Sequence, residues 1–176
     1  MINSLSGAIE NKTDLLEPGF LLNVDDLGLS NGQIDLNKLT QKVFEFRKQC
    51  LEKLGAIIRC ENLPTIRGDA SQIAVLFNTL IGLILENPPL ASKPFIYMKC
   101  AELKEDLIDL TVPKESIHYE ICFFTNYGSK ALNNETFVEQ LNRCYEICKE
   151  NKCSLECHEL ANSGCLFTLK LWGQIN

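Results

Sequence analysis

The segment 63–89, LPTIRGDASQIAVLFNTLIGLILENPP, limits the choice of fold more than any other part of the chain. Asp69 is a good helix N-cap, and the apolar residues that follow it recur at helical spacing. These residues are Ile73, Leu76, Phe77, Leu80, Ile81 and Ile84. The opposite face of this helix is also largely apolar, and a helix that is apolar all round must be covered on all sides. The segment therefore predicts a central buried helix that ends before Pro88 and Pro89.

Two further helices are predicted around this one. Asp35 caps a helix that runs to Leu54 and ends at Gly55, and another helix begins at Asn133 or Asn134. The inner stripe of the first is Leu39, Val43, Phe46, Cys50 and Leu54, and that of the last is Phe137, Val138, Leu141, Cys144, Tyr145 and Cys148. Both stripes predict helices that pack on a core.

Short apolar or alternating runs between the helices predict strands. They cover 65–66, 56–60, 94–101, 117–124, 154–160 and 165–172, with 107–112 as a further strand or an extension, and a turn at 161–164 joins the last two. This order of elements predicts an α/β two-layer sandwich, with three helices packed on one face of a mixed sheet.

Composition places the chain in one compartment and excludes two classes of partner. With 176 residues, 45% of them hydrophobic, the chain is long enough for one domain with a normal core. A net charge of -6 and a pI near 5.0 argue against a surface for nucleic acid or for an anionic membrane. No apolar run reaches membrane-spanning length, and the first residues have no basic region before an apolar stretch. We expect a cytoplasmic protein.

The nine cysteines are an odd number, spread over predicted core positions. In a reducing compartment such residues behave as small buried hydrophobes. A zinc site is the alternative, from Cys144, Cys148, Cys153 and Cys157 with His158 adjacent. Their spacing contains no Cys-x-x-Cys knuckle, so we predict no metal and take Cys144 and Cys148 as core neighbours one helical turn apart.

The central segment resembles one family element by element. The Leu-Pro pair, the strand-like Thr65-Ile66, and Gly68-Asp69 opening a long helix are similar to the ATPase domain of sensor histidine kinases. The likeness spans roughly Gln33 to Trp172, and the phrase LGLSNGQIDL at 27–36 looks like the exit from a kinase dimerisation helix. The resemblance implies a histidine-kinase-type (GHKL, Bergerat-like) ATPase fold over 33–176. It also implies an N-terminal helical or linker segment, 1–32, as a dimerisation remnant.

The resemblance also implies that the metal position has been lost. In the family, the second Asn of the central helix holds the magnesium that bridges the ATP phosphates. Setting Asp69 on the family Asp puts Thr79 at the first Asn and Leu83 at the second. Magnesium takes hard oxygen ligands, which Leu83 lacks. A one-residue shift brings Asn78 near the first Asn but puts Gly82 at the second.

The nucleotide motifs of the family are absent as well. Thr125 stands where the adenine-binding Asp is expected, and Tyr127 where the first Gly of that motif is expected. Val138 and Gln140 occupy the glycine-rich motif that should open the last helix and cradle phosphate. No glycine-rich lid of the usual length follows residue 128. We expect a degenerate domain without an ATP lid, a nucleotide cofactor or catalytic residues.

A branch of the same fold that also lacks the lid and ATP is the ChpT-type histidine phosphotransferases. The helix ending before Pro88-Pro89 and the direct passage from a strand through 127–128 to the last helix are similar to that branch. The opening residues 4–9, SLSGAI, match the last part of its phospho-accepting phrase, whose His would fall one position before Met1. This match marks Ser4, Gly7, Ala8 and Ile9 as partner contacts.

These features together predict a non-catalytic domain in a bacterial two-component or phosphorelay pathway. The resemblance implies a homodimer that docks a response-regulator receiver domain, with phosphotransferase activity only if a His-bearing N-terminus is missing from this chain. The alternative is a divergent ATP-binding kinase-type enzyme with a rebuilt pocket, formed by Asn78, Thr79, Glu86, Thr125 and Asn126. The two histidines, His118 and His158, both lie on predicted strands, and we assign them packing or solvent-side roles.

Overall fold

The structure is a computed structural model that describes residues 32–86, 92–103, 116–126, 135–160 and 164–174. Four helices and seven strands alternate along these residues. They are β1 (Gln33–Asp35), α1 (Leu36–Phe46), α2 (Lys48–Leu54), β2 (Ile57–Cys60), β3 (Thr65–Arg67), α3 (Ala70–Glu86), β4 (Phe95–Leu103), β5 (Ser116–Thr125), α4 (Glu135–Glu150), β6 (Ser154–Leu160) and β7 (Gly164–Gln174).

Five of the strands form one mixed sheet in the order β2-β4-β5-β7-β6, and β1 and β3 form a small antiparallel pair. β2 runs parallel to β4, whereas the other neighbours in the sheet are antiparallel. The helices cover one face of this sheet, which confirms the predicted two-layer α/β fold. Register places Met98, Phe123 and Phe167 side by side across β4, β5 and β7. All three are fully buried, so the core lies between this face and the helices.

The central helix α3 is confirmed as the buried element of the helical layer. Asp69 caps it, because its Oδ1 accepts hydrogen bonds from the backbone amides of Ser71 (2.9 Å) and Gln72 (3.1 Å). Every residue from Ile73 to Leu85 is buried except Val75. The proline pair at 88–89 lies outside the described residues.

The ring of Phe77 on α3 packs edge-on against Phe123 of β5. The ring centroids are 5.5 Å apart and the planes meet at 69°, a favoured T-shaped geometry. Both side chains are fully buried. This contact joins the centre of the helical layer to the centre of the sheet.

The first predicted helix is wrong in one respect, because it breaks at Arg47 into α1 and α2. Arg47 takes φ -85° and ψ 5°, and Gly55 ends α2 in the left-handed region at φ 59°. At the break, the core-facing residue is Arg47, which is buried. The predicted core residue, Phe46, is 42% exposed. The apolar Phe46 side chain lies outward because the Arg47 guanidinium has hydrogen-bond acceptors on α3.

The last helix, α4, also differs from its predicted stripe. Phe137, Cys144 and Cys148 are buried as expected, but Val138 and Tyr145 are exposed. The strands agree with prediction to within a few residues, and β7 continues to Gln174.

Several predictions fall outside the described residues. They are the N-terminal helix with Ser4, Gly7, Ala8 and Ile9, the strand at 107–112, Tyr127, the lid-free connection before α4 and the turn at 161–163. The division into 1–32 and 33–176 therefore stays a prediction. Among the helices of the described residues, none combines the length and apolar character needed to cross a membrane.

Candidate functional site

The two residues aligned with metal-binding positions lie on α3 inside the helical layer. Thr79 is 5% exposed and Leu83 is fully buried. Leu83 offers only carbon atoms, so it brings no ligand for a hard cation such as magnesium.

A buried arginine contacts the same helix. Arg47 Nε donates a hydrogen bond of 2.8 Å to Asn78 Oδ1, and Arg47 Nη2 donates one of 3.4 Å to the Asn78 carbonyl. The side chain is 5% exposed. Asn78, which the shifted register aligns with the first family Asn, therefore has its amide oxygen engaged by a cation of the chain itself.

The guanidinium then lies directly against Gly82, one helical turn further along α3. A Cβ added at Gly82 would stand 2.8 Å from Arg47 Nη2, which is closer than real Cβ contacts. A side chain at this position would displace the arginine, so glycine is favoured here. Gly82 is also the position that the shifted register aligns with the second, metal-binding Asn, so a fixed positive charge lies where that register would need a cation ligand.

Glu86 continues this stripe by one more turn. Burial lowers the pKa of Arg47 from its ordinary value, and the nearby Glu86 carboxylate opposes that shift. The arginine stays charged, since a guanidinium is not deprotonated in proteins. Residues 78, 82 and 86 are spaced by four and share one face of the helix. This face of α3 is therefore organised around an internal cation.

Glu86 also joins α3 to α4. Its Oε2 accepts a hydrogen bond of 3.2 Å from Gln140 Nε2, and Gln140 is buried. Its Oε1 is buried and has no hydrogen-bond partner within the described part of the chain. Gln140, one of the two residues at the place of the glycine-rich motif, thus makes a side-chain contact between two helices. Val138, the other one, is 43% exposed.

Two side chains at the end of β5 form hydrogen bonds to neighbouring backbone groups. Thr125 is buried, and its hydroxyl donates a hydrogen bond of 3.4 Å to the Cys165 carbonyl. Asn126 accepts a 2.7 Å bond from the Phe95 amide and donates a 2.8 Å bond to the Lys93 carbonyl. The amide of Asn126 therefore fixes the start of β4 against the end of β5.

The cysteines do not assemble a metal site in the described residues, where no group of three or more potential ligands is close enough. Cys144 and Cys148 are both buried on α4, as core neighbours. Burial raises the pKa of the Cys144 thiol to about 12. His158 lies on the exposed side of β6, where its Nε2 is 3.3 Å from Glu156 Oε2.

Sequence reasoning missed Arg47 as a member of this face. Its neighbour Lys48 makes the segment look like an ordinary solvated charge run. One signal was available, namely Gly82 in the middle of an otherwise apolar helix. An isolated glycine in a helix interior often marks a close packing contact, and here that contact is the guanidinium.

Comparison with known proteins gives a likeness of structure alone. No family model matches the chain, and no curated protein matches it. Solved histidine-kinase structures do match it.

Three of these structures illustrate the likeness. The nucleotide-free catalytic domain of histidine kinase ThkA has a TM-score of 0.59 at 12% identity, covering 79% of this chain and 92% of that one. The mycobacterial sensor histidine kinase MprB gives 0.58 at 9% identity, covering 82% and 99%. The Acinetobacter baumannii histidine kinase AdeS gives 0.57 at 15% identity, covering 87% and 73%. The chain therefore has the fold of histidine-kinase catalytic domains, as the sequence resemblance implied.

Proposed function

We propose that this chain is a non-catalytic domain of the histidine-kinase ATPase fold that acts in two-component or phosphorelay signalling through protein contacts. The observation that carries the proposal is the buried Arg47 guanidinium on Asn78 and Gly82 of α3. In the two alignments that the resemblance allows, the magnesium-binding position falls either on the aliphatic Leu83 or on Gly82, which lies against this guanidinium.

Electrostatics is the first support. A magnesium ion bound on this face of α3 would lie near a buried positive charge, and like charges in a partly buried site repel more strongly than in water. Removing the arginine from Asn78 would leave a buried charge without that acceptor, which is costly. Nucleotide binding on this face is therefore disfavoured both by the missing ligand and by the present cation.

Most polar groups of the alternative, a rebuilt ATP pocket, are already bonded within the fold. Asn78 is bonded to Arg47, and Asn126 is bonded to Phe95 and Lys93. One oxygen of Glu86 is bonded to Gln140. Thr125 donates to a strand carbonyl. A pocket built from these groups would first have to break contacts that hold the fold together.

The partner side of the proposal rests on the sequence. We infer that the 1–32 segment pairs two copies of the chain, and that Ser4, Gly7, Ala8 and Ile9 contact a receiver domain, as the ChpT-type resemblance implies. Phosphotransfer would need the family histidine, whose place in this alignment falls one position before Met1. A domain without that histidine would bind a receiver without passing on a phosphoryl group.

Binding of a receiver domain tests this proposal. Receiver domains from the same genome would be titrated by calorimetry into the purified chain. We expect at least one to bind, and Ile9→Glu to weaken that binding about tenfold or more, because a charge in a desolvated contact costs at least about 1.4 kcal/mol. The matched control is Ile57→Glu, since Ile57 is 53% exposed on β2. It should leave the affinity unchanged.

Two results would overturn the partner assignment. One is that no receiver domain binds. The other is that Ile9→Glu and Ile57→Glu have equal effects, which would place the contact elsewhere or show non-specific binding.

A further inference from the structure

The C-terminus of α4 ends in a Schellman motif. The Cys153 amide donates a 2.8 Å hydrogen bond to the Cys148 carbonyl, and the Lys152 amide donates one of 3.3 Å to the Lys149 carbonyl. Lys152 has φ 53°, in the left-handed region. These two bonds around one left-handed residue define the motif. Its C3 and C″ positions, whose side chains commonly touch, are here Cys148 and Cys153.

The Cys153 side chain lies against Cys148 at this cap. Cys153 Sγ lies 3.3 Å from the Cys148 carbonyl oxygen and donates a hydrogen bond to it. Cys148 is 2% exposed, whereas Cys153 is half-buried. The motif thus holds one inaccessible thiol against one that solvent reaches.

We propose that Cys148 and Cys153 form an oxidation site, a dithiol that a hydroperoxide converts into a disulfide. The geometry that carries the proposal is the cap itself, because its backbone hydrogen bond fixes the two residues against each other. Disulfides that form in a reducing compartment are mostly transient and redox-sensing. A disulfide here would tie the end of α4 to the start of β6.

The reaction balances in two steps. The Cys153 thiolate attacks one oxygen of the hydroperoxide, so an S–O bond forms, the O–O bond breaks and the leaving oxygen takes a proton. The Cys148 sulfur then attacks Cys153 Sγ, an S–S bond forms, the S–O bond breaks and hydroxide leaves with the Cys148 proton as water. With hydrogen peroxide, two thiols and one peroxide give one disulfide and two waters.

Exposure assigns these roles, because Cys153 is half-buried whereas Cys148 is 2% exposed. Interaction with the Cys148 side chain also lowers the pKa of Cys153 from its ordinary value. Interaction with the Cys153 side chain, together with burial, raises the pKa of Cys148. The more accessible sulfur therefore ionises first and is the one that meets the peroxide.

A second pair, Cys157 and Cys165, provides a natural comparison on the adjacent strands. The register places Cys157 opposite Phe167 and Cys165 opposite Glu159, so the two cysteines are diagonal neighbours. Diagonal Cα atoms lie about 7–8 Å apart, beyond the usual disulfide range of about 4.4–6.8 Å. The two side chains also interact, which lowers the pKa of Cys165. The backbone distance therefore distinguishes this pair, and we expect it not to form a disulfide.

Peptide mapping after mild oxidation tests the proposal. The full chain would be treated with stoichiometric hydrogen peroxide, its remaining thiols blocked with N-ethylmaleimide, and the product digested with trypsin. Cleavage after Lys149 and Lys152 separates the two cysteines into peptides 144–149 and 153–170. We expect these peptides to appear joined with two hydrogens fewer, and to separate on treatment with dithiothreitol. Fragmentation should place the bond between Cys148 and Cys153.

Four serine variants sharpen the result. Cys148→Ser and Cys153→Ser should each lose the joined peptide, whereas Cys144→Ser and Cys157→Ser should retain it. Circular dichroism of each variant would show that it is folded. The proposal is overturned if the wild-type chain yields no joined peptide, if the peptide persists in Cys153→Ser, or if a bond between Cys157 and Cys165 predominates.

Discussion

Replacing Phe77 by alanine should lower the free energy of unfolding by about 3–5 kcal/mol, as expected for removal of a fully buried aromatic side chain. Phe77 has no exposed surface and lies 5.5 Å, centroid to centroid, from Phe123. The variant therefore loses the hydrophobic burial and the ring contact, and leaves a cavity between helix and sheet. Urea denaturation, followed by circular dichroism, measures the change.

Phe46→Ala is the matched control for that substitution. Phe46 is 42% exposed, and its ring faces the Arg47 guanidinium at 5.8 Å. Loss of this contact should cost about 1 kcal/mol or less. Equal destabilisation by the two variants would contradict the placement of Arg47, rather than Phe46, on the inner side of the break between α1 and α2.

The second large effect is that the change in stability caused by Gly82→Ala should reverse its sign when Arg47 is removed. Arg47→Ala should lower stability by about 3 kcal/mol, because it creates a cavity and removes the donor from buried Asn78. Gly82→Ala alone should cost about 1 kcal/mol, since its methyl group would displace a guanidinium that stands 2.8 Å away. In the Arg47→Ala background the same change should instead stabilise the chain by about 1 kcal/mol, the helix propensity difference between alanine and glycine.

A double-mutant cycle of these three variants by urea denaturation gives the coupling energy, which we expect to be about 2 kcal/mol. Gly68→Ala serves as the control that should not couple to Arg47→Ala. A Cβ at residue 68 meets its neighbours at ordinary distances of 3.6–3.8 Å. Additivity between Arg47→Ala and Gly82→Ala would show that the arginine does not lie against Gly82.

The elements with strong local signals were predictable from sequence. The Asp69 cap and the apolar run behind it define α3, because capping and helical periodicity are both written in neighbouring residues. The strands of the sheet were equally accessible from their alternation. The order of these elements was enough to predict the two-layer fold, which the solved histidine-kinase structures confirm.

The polar contacts were not predictable, because each joins residues far apart in the chain. The bond between Arg47 and Asn78 spans 31 positions, and that between Glu86 and Gln140 spans 54. Pattern reasoning gave Phe46 the inner position on helical spacing alone, whereas the acceptors on α3 favour its neighbour. The cap at Cys148 and Cys153 depends on Lys152, whose backbone takes the left-handed conformation at a position where glycine is the usual residue.

Thermal unfolding with and without millimolar ATP and magnesium tests most directly the proposal that this domain does not bind the nucleotide. A ligand present at about 100 times its dissociation constant stabilises a fold by about 2.7 kcal/mol. For a domain of this size that is a rise of about 5–10 °C in Tm. A nucleotide-binding histidine-kinase domain in the same buffer serves as the positive control. We predict no change for this chain, since neither Leu83 nor Gly82, which lies against the Arg47 guanidinium, has a side-chain ligand for magnesium. A clear magnesium-dependent rise would contradict the proposal and identify a rebuilt ATP pocket instead.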